Sequence, residues 1–159
     1  SFHVTGVQTC ALPILPACVT SAPLFFSGIG ELIEPAPVAA MSLVLAWPGA
    51  GLATPAIFSA LRQSALAGPA PRPAFAAPDD VIEILRHQRN DLQPIAERLL
   101  PAIGELLASL RAAPGCELAR MTGSGSACFG VFRDHAQART AADAIARSHP
   151  SWWLEAVAA

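Results

Sequence analysis

Short apolar runs that end at glycine or proline define the first predicted elements of the chain. The stretch PLFFSGIGELIEP, residues 23–35, predicts two short strands joined by a turn at Gly28 and Gly30. The run MSLVLAWPG, residues 41–49, has the length and the Pro-Gly end of a buried strand. The pattern therefore predicts three strands before the first helix.

The residues after Gly49 show helical patterns. Thr54 is a favourable N-cap and Pro55 suits a first helical position, so TPAIFSALRQSAL predicts a helix. A proline-rich stretch, residues 68–78, predicts a linker, because proline cannot continue a helix. The sequence VIEILRHQR then predicts a second, shorter helix that starts at Asp79 or Asp80.

The strongest helical signal begins at Asn90, which forms the pattern of a capping box with Gln93. Pro101 is expected to bend this helix, and Pro114 followed by Gly115 to end it. Apolar residues recur every three or four positions and predict one buried face. These residues are Leu92, Ile95, Leu99, Ile103, Leu106 and Leu110.

The last third of the chain returns to strands. CELARM and ACFGVF predict two strands on either side of TGSGS, HAQARTAADAIARSH predicts a helix, and WWLEAVA predicts a final strand. In that strand Trp152 and Trp153 would point to opposite faces, one into the core. From Met41 onward the order is βαββαβ, which is the ferredoxin-like arrangement of the α+β class.

Composition and charge exclude several classes of protein. Of the 159 residues 53% are hydrophobic and 14% are charged, which is enough for a packed core. The net charge of −2 and the lack of any basic run argue against nucleic-acid binding. All ten basic residues are Arg, so the chain contains no Schiff-base lysine and no P-loop lysine.

The cysteine and hydropathy patterns favour a cytoplasmic protein without a membrane span. Four cysteines show no CxxC and no histidine at metal-ligand spacing, so we expect reduced thiols and no metal site. An uncharged run, residues 35–61, is long enough to cross a bilayer. However, it contains four prolines and the sequence WPGAG, which interrupt a continuous apolar helix.

The most informative local segment for chemistry is the glycine-rich stretch TGSGS. Gly123 and Gly125 permit a close backbone approach, while Ser124 and Ser126 add hydroxyl groups, so the loop could bind a phosphate. The alternative is a flexible hairpin turn, because a strand rather than a helix follows the loop. Phe58 has two interpretations as well, since an aromatic on an apolar helix face is more often core than ligand platform.

Six short motifs in order resemble the C-terminal half of enzymes of the GHMP kinase superfamily. The loop GSGSA is common to the superfamily, whereas PAC, GIGE and TPAIF indicate the branch that acts on 4-diphosphocytidyl-2-C-methyl-D-erythritol. The resemblance covers residues 15–159. The motifs are PAC at 16–18, GIGE at 28–31, PG with TPAIF at 48–58, NDL at 90–92, TGSGSACFG at 122–130 and HPSWW at 149–153.

The resemblance implies an ATP- and Mg²⁺-dependent enzyme of the MEP isoprenoid pathway, which transfers a γ-phosphoryl group to the 2-hydroxyl of that cytidyl diphosphate sugar alcohol. Phe58 matches the aromatic that stacks on the cytosine, and Thr54 and Pro55 would orient its helix. The phosphate loop would comprise Gly123, Ser124, Gly125 and Ser126.

The resemblance also bears on the first residues of the printed sequence. VTGVQTCALPI, residues 4–14, resembles a translated sequencing-library adapter, so residues 1–14 are expected to be non-native. Ile14 stands where the resemblance places the catalytic Asp, and the superfamily's Lys and main ATP loop have no counterpart here. We therefore expect no catalytic residue, a remnant of an S5-like N-terminal domain over residues 15–40, and a ferredoxin-like domain over 41–159.

Two other functions remain open from the sequence alone. One is a different GHMP small-molecule kinase, such as a homoserine or mevalonate-pathway enzyme, which would not be expected to have Phe58 after TPAI. The other is a ferredoxin-like module that binds a small ligand without turnover. An intact start codon just upstream of the fold would favour the module.

Overall fold

The computed structural model describes residues 22–27, 32–36, 38, 40–61 and 81–158, which fall into two units. In the first unit β1 (Leu24–Ser27) pairs antiparallel with β2 (Leu32–Pro35). These are the two strands that the first apolar runs predict. The adapter-like segment, PAC, GIGE and the proline-rich linker lie outside the described residues.

The second unit contains a four-stranded antiparallel sheet. Its strands are β3 (Ser42–Trp47), β4 (Cys116–Met121), β5 (Cys128–Phe132) and β6 (Trp153–Ala158). They lie in the order β4-β5-β3-β6, so the first and third strands of the βαββαβ unit are central. This order confirms the predicted ferredoxin-like arrangement.

Five helices are described. They are α1 (Thr54–Leu61), α2 (Val81–His87), α3 (Gln93–Leu99), α4 (Ala102–Ala112) and α5 (His135–Ser148). The part of the chain that the structure describes contains no helix that is long and apolar enough to cross a membrane.

The hydrophobic core joins one face of the sheet to the apolar faces of the helices. Val44 and Ala46 alternate inward from β3, and Leu106 and Leu110 point inward from α4. Complete burial of one such leucine stabilises the fold by about 1.5–3 kcal/mol. The largest buried side chains are Phe132, Ile57, Ile103, Leu106, Leu107, Leu110, Met121, Val44 and Val131.

The structure corrects the prediction of one long, bent helix after Asn90. The chain breaks into α3 and α4 because Leu100, which precedes Pro101, has an extended backbone (φ −140°, ψ 88°). The break also interrupts the predicted apolar face, and Leu99 is 50% exposed instead of buried. The predicted capping box forms only in part, because Asn90 Oδ1 accepts from the Leu92 N–H whereas the Gln93 side chain bonds to Met121 and Glu97 and not back to Asn90.

The final strand begins one residue later than predicted. Trp152 precedes β6, stacks on the ring of His149 with centroids 3.7 Å apart, and packs against the core. Trp153 is the first residue of the strand and is 51% exposed. The expectation that only one of the two indoles enters the core is confirmed.

Candidate active site at the glycine-rich loop

The glycine-rich loop is a tight connection between β4 and β5. The Thr122 N–H donates to the Ala127 carbonyl and the Gly125 N–H donates to the Thr122 carbonyl, both at 3.0 Å. Gly125 has φ +87°, and a Cβ added there would lie 2.7 Å from the sulfur of the buried Met121. Glycine is therefore required at this position for both its backbone angle and its small size.

Several backbone N–H groups of this loop remain available to a ligand. The amides of Gly123, Ser124 and Ser126 make no hydrogen bond within the described part of the chain. Gly123 adopts φ +53°, the left-handed conformation that turns successive N–H groups toward one point. Such a concave group of amides can bind an oxyanion through several hydrogen bonds at once.

Helix α1 begins at this loop, although 70 residues separate them in sequence. The Thr54 hydroxyl lies 3.0 Å from the Ser124 hydroxyl, close enough for a hydrogen bond. Pro55 follows as the exposed second residue of the helix. The structure thus brings together Thr54 and Ser124, which belong to two separate sequence motifs.

Phe58 lies one helical turn after Thr54, on the same face of α1. Its side chain is 40% exposed, whereas the neighbouring Ile57 is fully buried. The interpretation of Phe58 as a core residue is therefore wrong, because Ile57 supplies the contact with the core. An exposed aromatic ring on the helix that meets the loop is suited to stacking on a planar ligand.

Ser126 is the residue of the loop whose side chain is already engaged. Its hydroxyl accepts a hydrogen bond from Trp47 Nε1 at 2.9 Å and donates one to the Ala50 carbonyl. The side chain is buried, and these contacts join the loop to the end of β3. The Ser126 hydroxyl is thus not available to a ligand. No pattern around Trp47 predicted this role.

Asn90 also holds the loop in place. Its Nδ2 donates to the carbonyl oxygens of Met121 at 3.0 Å and Gly123 at 2.8 Å, while its Oδ1 accepts from the Leu92 N–H. Gln93 Oε1 accepts from the Met121 N–H at 3.0 Å. The residues predicted to cap α3 therefore also fix the start of the loop.

Two titratable groups of the sheet, the Cys128 thiol and the Glu117 carboxylate, are respectively buried and held in ion pairs. Burial raises the pKa of the Cys128 thiol to about 12, so this group stays protonated and unreactive at neutral pH. Hydrogen bonding to Arg133, supported by Arg86, lowers the pKa of Glu117. Within the described residues no group of three His, Cys, Asp or Glu side chains could hold a metal ion.

Comparisons with known proteins show the family of this chain. The family model "GHMP kinases C terminal" matches residues 72–151. Proteins named 4-diphosphocytidyl-2-C-methyl-D-erythritol kinase are similar over most of the chain. That of Dinoroseobacter shibae is 43% identical over 142 residues, which are 88% of this chain and 50% of the relative. That of Paracoccus denitrificans is 42% identical over 144 residues, 89% of this chain and 52% of the relative.

A solved structure of a kinase with the same substrate in its title is also similar to this chain. A crystal structure titled 4-(cytidine 5'-diphospho)-2C-methyl-D-erythritol kinase matches with a TM-score of 0.64 and 27% identity, and the match covers 89% of this chain and 52% of that one. The chain therefore spans about half the length of the curated relatives that it matches.

Proposed function

Because this chain belongs to the GHMP kinase family, we propose that it supplies the C-terminal domain of an enzyme that phosphorylates 4-diphosphocytidyl-2-C-methyl-D-erythritol on its 2-hydroxyl, with ATP as donor. The observation that carries this proposal is the meeting of α1 with the glycine-rich loop. There the Thr54 hydroxyl contacts Ser124, and the exposed Phe58 lies one turn away.

In this proposal the loop binds phosphate oxygens of the nucleotide. The amides of Gly123, Ser124 and Ser126 have no partner among the described residues, and an anion gives them one. ATP supplies the phosphoryl group when it is bound. The role of the loop is to hold phosphates in position and to balance their charge, which are the main contributions of protein to phosphoryl transfer.

The described residues fit phosphate better than they fit Mg²⁺. Magnesium prefers carboxylate oxygens and water, whereas the loop offers backbone N–H groups and hydroxyls. Within the described residues there is no carboxylate cluster to hold a cation. Mg²⁺ dependence is proposed for the enzyme from its family alone, and no step of the reaction is assigned to the metal here.

Phe58 is proposed to stack on the cytosine of the substrate, with Thr54 and Pro55 orienting its helix. An aromatic ring recognises a nucleobase through its face, without any need for a charged partner. The net charge of −2 favours a small-molecule substrate over nucleic acid. The free cysteines Cys116 and Cys128 are consistent with a cytoplasmic enzyme.

The proposal is tested by replacing Phe58 with Ala in the full-length enzyme that contains this domain. Binding of the cytidyl substrate should weaken by about 1–3 kcal/mol, the range of base–aromatic stacking, while ATP binding changes little. Phe58→Trp keeps an aromatic face at the same position and should retain substrate binding. Steady-state constants for both substrates provide the measurement. Equal losses for ATP and substrate would show that Phe58 only stabilises the fold.

A further inference from the structure

A cleft of about 430 Å³ lies along β4, the edge strand of the sheet. We call it the arginine cleft, because arginine side chains from three segments line it. Its charged lining residues are Arg89, Arg111, Glu117 and Arg120, and Gln88, Asn90 and Gln93 add neutral polar groups. The volume is within the range of sites for small molecules.

Two of these arginines, Arg111 and Arg120, line the same cleft and have no counter-ion among the described residues. Arg120 projects from β4 and Arg111 from the last turn of α4. Burial, together with the positive charge of Arg111, lowers the pKa of Arg120. Within the described part of the chain, neither guanidinium makes an ion pair or a hydrogen bond. Their mutual repulsion is therefore not balanced by any carboxylate of the described residues.

Two carboxylates near this cleft, those of Glu117 and Asp91, are already paired with cations other than Arg111 and Arg120. Glu117, which also lines the cleft, lies 2.6 Å from Arg86 and 2.8 Å from Arg133. Arg89 is paired with Asp91 at 2.7 Å. Because each of these carboxylates already pairs with a cation, the lining keeps an excess of positive charge around Arg111 and Arg120.

We propose that the arginine cleft binds the phosphate group of a small phosphorylated molecule between Arg111 and Arg120. A phosphate dianion matches the two positive charges, and guanidinium groups bind phosphate oxygens through paired hydrogen bonds. The cleft is larger than a single phosphate ion, so it has room for an attached organic group. Phosphate binding at this cleft does not require the kinase reaction, so its test does not depend on that activity.

Inorganic phosphate is the probe, added to the isotope-labelled full chain and followed through the arginine Nε–Hε signals by NMR. Phosphate should shift the signals of Arg111 and Arg120 in a saturable manner and leave Arg147 unchanged. Arg111→Gln and Arg120→Gln should each weaken phosphate binding about tenfold, since each removes one charge-assisted pair. Arg147→Gln removes an equal charge from the exposed face of α5 and serves as the matched control.

A stability measurement distinguishes a loss of phosphate binding from a failure of the variant to fold. In phosphate-free buffer Arg111→Gln should be at least as stable as the unmodified chain, because it removes a like-charge repulsion. Added phosphate should then raise the melting temperature of the unmodified chain and of Arg147→Gln by equal amounts, and that of Arg111→Gln by less, since only the binding at the arginine cleft is weakened. Equal shifts of all arginine signals, or equal binding of acetate, would overturn the proposal.

Discussion

Single side chains that are distant in sequence hold the glycine-rich loop in its shape. The Asn90 amide nitrogen donates to the carbonyls of Met121 and Gly123, and its amide oxygen accepts from the Leu92 N–H. Trp47 reaches Ser126 across 79 positions. Because these contacts order the loop before any ligand arrives, less conformational entropy has to be lost on binding.

The amide of Asn90 can be tested by a change of nearly equal size. In Asn90→Asp the carboxylate keeps an acceptor for the Leu92 N–H but cannot donate to the carbonyls of Met121 and Gly123. We expect the free energy of unfolding to fall by about 1–3 kcal/mol, because two carbonyls lose a partner and face a negative charge. Urea unfolding followed by circular dichroism gives the value.

The neighbouring Asp91 offers a matched control. Asp91→Asn makes the reverse exchange at an exposed position and breaks only the pair with Arg89. We expect this change to alter the unfolding free energy by less than about 1 kcal/mol, as for other exposed ion pairs. If both variants lose the same stability, the hydrogen bonds of Asn90 do not hold the loop.

The helices and strands show which features a sequence can determine. β3, β4, β5, α4 and α5 form where apolar periodicity and turn residues predict them, because each depends on neighbours within its own segment. Pro101 was correctly expected to disturb a helix, but whether it bends or breaks one depends on the packing around Leu100. Local patterns therefore predict the presence and type of an element better than the residues at which it begins and ends.

The start of α5 gives a test at this scale. Asp134 has an extended backbone, and its Oδ1 accepts from the Gln137 N–H at 2.8 Å, which makes it the N-cap. Asp134→Ala should lower the free energy of unfolding by about 1 kcal/mol, since this N–H loses its partner. Thermal unfolding of the chain measures the loss.

Asp143 provides the comparison for that loss, because it is exposed in the middle of the same helix. Asp143→Ala removes the same charge without removing a cap, so stability should change by no more than about 0.5 kcal/mol. A loss as large as that of Asp134→Ala would mean that charge, and not capping, stabilises α5.

For the molecule as a whole, the sequence predicts the fold better than it predicts the contacts within the candidate site. The βαββαβ order follows from the succession of patterns, and the topology rules then leave few arrangements of the strands. Ser124 and Gly125 were predicted as site residues from the resemblance. The contacts of Thr54 with Ser124 and of Asn90 with Gly123 were not predicted, because they bridge 70 and 33 positions and exist only in the folded chain.

The kinds of polar group found around the glycine-rich loop predict that the printed chain alone does not transfer phosphate. Phosphoryl transfer requires bound phosphates, an acceptor hydroxyl in line and a group that takes its proton. The hydrogen bonds of residues 122–127 involve amides, carbonyls, hydroxyls, one indole, Asn90 and the Cys128 thiol, and none of these is a base at neutral pH. The chain also has no lysine, and Ile14 occupies the position at which the resemblance places the catalytic Asp.

An ATP-consumption assay on the purified chain, with Mg²⁺ and the cytidyl substrate, measures this directly. We expect no turnover above a control without enzyme, whereas the full-length enzyme is active under the same conditions. Ile14→Asp alone should not restore activity, because a carboxylate without a second phosphate-binding loop has no aligned phosphoryl group to receive. Turnover by the printed chain that Gly125→Val abolishes would contradict the prediction. It would place the complete catalytic machinery within these 159 residues.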